Sequence, residues 1–144
     1  MPPLGVNYWH VTGATLVPSL QPYTPTYQIP AMTDVTFQEL VNGNGVVLTA
    51  GQGTLFVNVV RNGTPVTGAI ASVTPPAEFA TFYDGGTSTV WTTMSTGILG
   101  DAWMAGITAG TVTVLVTPNG GTQQSVPGIT IVDGANTFLT VEVP

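Results

Sequence analysis

The 144-residue sequence has no cysteine, which removes disulfides, thiolate nucleophiles and cysteine-ligated zinc together. That lack fits an oxidising compartment as well as a reducing one. Basic charge is nearly as scarce. Arg61 is the one residue of the Lys and Arg class and the net charge is −6, so the chain has no means of neutralising a run of phosphates. Nucleic acid is therefore set aside as a partner, and anionic membrane headgroups repel such a chain. Charged residues of all kinds make up 6%, against about a quarter in a typical soluble domain, so solubility rests on Thr, Ser, Asn, Gln and the backbone. No apolar run approaches the roughly 18 residues of a membrane span, and none is expected. Met1-Pro2-Pro3-Leu4-Gly5 puts no basic segment ahead of an apolar stretch, so no signal peptide is expected.

Thr and Val are the commonest residues, and β-branched side chains fit a pleated, half-buried surface better than a helix. The 18 Gly and 12 Pro are scattered between short apolar runs, as in a chain of many strands. One all-β domain with a single core is expected, burying roughly two thirds of the surface of the unfolded chain, with no helix required.

Gly-rich punctuation at Asn42-Gly43-Asn44-Gly45 and Gly51-Gln52-Gly53 divides the chain into an extended N-terminal arm, 1–45, and a β-sandwich domain, 46–144. Pro18, Pro22, Pro25 and Pro30 disfavour a helix or a central strand over 18–30. Two stretches of the arm fit strands, Val6 to Val17 and Met32 to Val41, the latter with Val35 and Phe37 at alternate positions. Such an arm either wraps its own domain or adds to a neighbour's sheet through main-chain hydrogen bonds.

From Gly53 the pattern is regular. Val46 to Thr49 reads as a short strand. Thr54 to Val60 and Pro65 to Val73 flank Asn62-Gly63, a strong signal for a type I′ hairpin. Pro75-Pro76 breaks the pattern, Phe79 to Tyr83 follows as a strand, and Asp84-Gly85-Gly86 reads as a turn. Ser88 to Met94, Ala102 to Ala105, Thr111 to Thr117 and Val126 to Val132 are further strands. Asp133-Gly134 reads as another turn before Thr137 to Val143. Alternation places Val112, Val114 and Val116, and likewise Leu139, Val141 and Val143, on the core side. Phe56, Trp103 and Phe138 are read as sandwich core.

Arg61-Asn62-Gly63-Thr64-Pro65-Val66 before Gly68-Ala69, then Thr96-Gly97 with Gly100 and Ala102-Trp103, then Gly106 to Val114 form an ordered set of signals. On these residues the segment 53–143 resembles a carboxypeptidase regulatory-like domain, the transthyretin-like (prealbumin-like) β-sandwich. The resemblance implies an Ig-like/transthyretin-like antiparallel β-sandwich carrying an extended Pro-rich N-terminal arm. Its motifs are turn and core chemistry and imply almost nothing about activity. Met94-Ser95-Thr96-Gly97 stands where the family carries an acidic loop, and its lack of carboxylates argues against a loop calcium site. Residues 1–45 have no counterpart in the family.

Chemistry-bearing residues are few. His10 is the only imidazole and is read as a solvent-facing strand residue. The enzymatic relatives of this sandwich need two His with two Tyr, or His and Arg motifs, which are missing. Asp34, Glu39, Glu78, Asp84, Asp101, Asp133 and Glu142 are dispersed; Asp84 and Asp133 are read as turn residues, although Asp84 paired with Asp101 would resemble a glycosidase dyad or a Ca²⁺ site. No catalytic, cofactor-binding or metal-binding residues are assigned, no cofactor is expected, and an enzyme is not expected. Tyr8, Trp9, Tyr23 and Tyr27 lie in the arm, beyond what one thin sandwich covers, and are the candidate contact residues.

A weakly charged, Thr-rich surface with few Lys gatekeepers favours pairing between copies. The expectation is a non-catalytic structural subunit, either of a virion (decoration, head or tail) or of an extracellular filament, whose partners are itself or neighbouring structural subunits. The alternative is a secreted, cell-surface module that binds glycan or a protein partner through its loops.

Overall fold

Strands β2 (Gln52–Arg61) and β7 (Asp101–Thr108) carry apolar side chains at successive positions, so each must bury both faces. They lie side by side, antiparallel, at the centre of a seven-stranded sheet. The computed structural model describes residues 10–16, 34–87 and 90–144. In chain order the remaining elements are β1 (His10–Leu16), helix α1 (Asp34–Gly43), β3 (Thr64–Pro65), β4 (Ile70–Thr74), β5 (Phe82–Thr87), β6 (Val90–Thr92), β8 (Gly110–Thr117), β9 (Gln124–Ile131) and β10 (Ala135–Glu142). The large sheet runs β1-β10-β2-β7-β5-β6 with β3 on β2, and the small one runs β4-β8-β9. The architecture is an all-β sandwich whose pairings are antiparallel except at β10, which runs parallel to both β1 and β2.

The space between the sheets is filled by the side chains that alternation assigns to the core. Val112, Val114 and Val116 meet Leu55, Val57 and Val59 of β2, Met104 of β7, and Leu139, Val141 and Val143 from β10 and its end. The opposite face of the large sheet carries a second apolar layer of Phe56, Trp103 and Ala105, closed by Phe37, Val41 and Val46. Phe56, Trp103 and Phe138 therefore belong to this outer layer and not to the core between the sheets. Trp103 is fully buried there, with Phe37 edge-on at 6.5 Å and Phe82 at 5.3 Å between ring centroids.

Several expectations need correction. Residues 34–43 form a helix, not a strand. Phe37, Leu40 and Val41 fall at i, i+3 and i+4, the spacing that brings them to one helical face, and all three pack on the sheet while Val35 is exposed. Its end is a Schellman motif: Gly45 lies at φ 67°, and the N–H groups of Gly45 and Val46 donate to the carbonyls of Asn42 and Val41. The Asn-Gly-Asn-Gly run is thus a helix cap, and residues 46–49 form no strand. Asn62 and Gly63 do turn with positive φ, but the returning strand β3 has two residues, and the chain then crosses to the small sheet as β4. The Asp133-Gly134 turn likewise joins strands in different sheets. Strand β5 begins at Phe82, and Asp84-Gly85-Gly86 lie inside it.

If Phe37 is the helix residue that seals the outer layer, Phe37→Ala lowers stability by about 3 kcal/mol or more, as a large side chain removed from a packed site. Val35→Ala, exposed on the same helix, changes it by less than about 0.5 kcal/mol. Urea unfolding followed by Trp fluorescence distinguishes this from a strand, in which Val35 and Phe37 share a face and both changes are costly.

Candidate functional site

Asp84 is almost completely buried, although its neighbours Gly85 and Gly86 give it the sequence appearance of a turn residue. Its carboxylate is solvated by main-chain N–H groups in place of water. Oδ1 accepts from Gly97 at 2.8 Å and Asp101 at 2.9 Å, while Oδ2 accepts from Leu99 at 3.0 Å and, at a longer 3.4 Å, from Gly86. Charge-assisted bonds of this kind are stronger than neutral ones, and three of them wrap residues 97–101 around one side chain. A Cβ on Gly97 would collide with the Asp84 carboxylate and carbonyl, so the loop closes this tightly only with glycine there.

The same loop is tied from its other side. Thr96 is buried, and its hydroxyl donates to Val66 O and accepts from Ala69 N–H. The main chains of Thr96 and Ala69 are bonded as well, and Thr96 O accepts from Gly68. Beside these anchors the loop presents Met94, two residues before Thr96, and Ile98, between Gly97 and Leu99, 83% and 69% exposed. These two large apolar side chains stand exposed on one loop, and sequence reasoning missed them. The available signal was their occurrence in a Gly-, Ser- and Thr-rich stretch that needs no apolar residue.

Asp84 and Asp101 do come together, as the dyad reading required, but the contact is between the Asp84 carboxylate and the Asp101 main chain. The Asp101 carboxylate accepts from Asn58 Nδ2 at 2.7 Å. Burial pushes the Asp101 carboxyl above its ordinary 3.8, the Asn58 hydrogen bond opposes the rise, and the charge of Asp84 adds to it. Asp133 accepts from Gly51 N–H, Glu78 from Gln52 and Glu142 from Asn62 N–H. Among the described residues no three His, Asp or Glu cluster as a metal site needs. A shallow recess lined by Pro75, Pro76 and Ile107 to Val112 carries no ionisable side chain. Tyr8, Trp9, Tyr23 and Tyr27 lie outside the described residues, and His10 falls at the start of β1.

The strand edges are unequal. At β4 the Ala71 N–H donates to the Tyr83 hydroxyl at 3.0 Å, and the Ala71 carbonyl accepts from Tyr83 and Thr81, each at 3.1 Å. The side chains of Tyr83 in β5 and of Thr81 just before it thus occupy hydrogen-bonding groups that an incoming strand would need. Burial raises the Tyr83 phenol, against the opposing effects of Ala71 and Thr81. On β9, Pro127 and Gly128 sit where the register with β8 shifts, and proline cannot donate to a ladder. Strand β6 has three residues. The remaining edge belongs to β1, seven residues without proline that pair with β10 from His10↔Ala135 to Leu16↔Val141.

No protein-family model matches this sequence, and no curated protein matches it significantly.

Replacing Asp84 by Asn puts an amide NH₂ against main-chain donors, and is expected to destabilise by about 2–4 kcal/mol, read from the urea midpoint. Asp101→Asn behaves differently. Its raised folded value means that Asp101 stabilises the fold fully below pH 3.8 and that this contribution is lost as pH rises through the folded value. The neutral variant lacks that loss, so its urea midpoint gains on the natural protein between pH 3 and pH 7; a constant difference across that range would contradict the assignment.

Proposed function

We propose that this protein is a non-catalytic structural subunit of a larger assembly, a virion (decoration, head or tail) or an extracellular filament, in which copies associate through the N-terminal strand. In this reading residues 53–143 are a transthyretin-like, carboxypeptidase regulatory-like module serving as the rigid body. The observation that carries the reading is the addition of β1, from the arm, to the edge of β10, because strand addition is how an extended arm joins one subunit to another. The composition supports it, since 6% charged residues give little repulsion between copies. The engagement of Glu78, Asp84, Asp101, Asp133 and Glu142 by structural donors supports the non-catalytic part.

Light scattering during gel filtration tests it on the full chain beside a version lacking residues 1–16. Helix α1 is kept because Phe37 and Val41 cover Trp103. The expected result is an oligomer for the full chain and a folded monomer for the shortened one; a full chain that is monomeric at every concentration contradicts the proposal.

A second reading, a secreted or cell-surface module with a protein or glycan partner, is favoured by the braced loop bearing Met94 and Ile98. Apolar tips suit a protein surface better than a glycan. It predicts a monomer whose partner binding is lost in the Met94→Ser, Ile98→Ser variant while the unfolding midpoint stays put.

A further inference from the structure

We infer that β1 is an exchangeable strand: in the assembly, β1 of one copy occupies the β10 edge of a second copy, in the parallel register that it adopts on its own β10. This deepens the assembly reading above and rests on it.

The edges narrow the choice. Strand β4 is occupied by Tyr83 and Thr81, β9 carries a proline and a register shift at Pro127-Gly128, and β6 is three residues long. Strand β10 is different in kind. It has eight residues without proline, and Ala135, Asn136, Thr137, Leu139 and Val141 are buried, so it is a fixed inner strand of the body with one side left for β1. With β1 released, β10 offers an eight-residue edge to a β1 segment. Strand β1 fits it with Val11, Thr12, Gly13, Ala14, Thr15 and Leu16, which bear no charge.

The cover is the same whether it comes from the same chain or from the next, so the ladder itself does not favour one source. What differs is closure of the connecting chain. Residues 17–33 separate β1 from α1, and 17 residues reach at most roughly 55 Å at about 3.3 Å each. That exceeds the diameter of a domain of this size, so a neighbouring β10 is within reach, and exchange of an identical element is a low-cost route to association.

The lack of native cysteine makes a direct test simple. Thr15 and Thr140 are register partners; adjacent strands lie about 4.8 Å apart, within the roughly 4.4–6.8 Å between Cα atoms that a disulfide spans. The full-length Thr15→Cys, Thr140→Cys variant is oxidised and run on a non-reducing gel, with circular dichroism of the reduced form reporting the fold. Separately, differently tagged Thr15→Cys and Thr140→Cys chains are mixed and oxidised.

The expected result is covalent dimers or ladders from the double variant and a mixed-tag dimer from the pair. Intrachain disulfides alone, in a protein that remains oligomeric by light scattering, overturn exchange and leave the assembly reading standing. Intrachain disulfides alone in a protein that is always monomeric overturn both. A folded variant that forms neither bond shows that β1 does not hold this register, and overturns the inference as well.

Discussion

A sheet of an antiparallel sandwich ordinarily has one apolar face and one wet one. The β2–β7 pair has two apolar faces, with Leu55, Val57, Val59 and Met104 turned to the small sheet and Phe56, Trp103 and Ala105 turned away from it. That double burial is the constraint from which the rest of the architecture follows. The inner face calls for β4-β8-β9. The outer face calls for a second cover, and the chain supplies it with α1 and the segment through Val46. The stacked Phe56 and Phe138 rings, 4.9 Å apart, extend this layer onto β10.

Scarcity of charge makes the buried Asp84 more consequential. A chain with one Arg has almost no cation to place against a buried carboxylate, and an unpaired one is costly. Main-chain N–H groups of 97–101 take the cation's place. The same contacts fix the loop between β6 and β7, so one carboxylate connects the electrostatics of the interior to the geometry of the exposed Met94 and Ile98. Glycine at 97 is the condition for that approach.

Much of this was legible in the residues. Period-two alternation identified the inner faces of β8 and β10, and Asn62-Gly63 identified a turn with positive φ. Pairing was less legible, because β3 ends after Pro65 and the Asp133-Gly134 turn crosses between sheets; a turn signal states that the chain reverses, not which sheet receives it. The helix was missed although Phe37, Leu40 and Val41 carried its spacing, since Val35 and Phe37 at alternate positions also satisfy a strand. Asp84 was missed for a different reason. Three of its four donors lie 13 to 17 residues away, and local sequence shows only an Asp before two glycines.

Helix α1 packs into the outer apolar layer of the large sheet, whereas the N-terminal strand is held by one edge ladder, on β10. Local opening of such an element has a smaller free energy than global unfolding. Amide hydrogen exchange on the dilute full-length protein measures this directly. The account predicts that residues 10–16 exchange many times faster than β2 and β7, with α1 protected together with those strands. Equal protection of β1 and β2 would make the strand an integral part of one cooperative unit and contradict its exchange between copies.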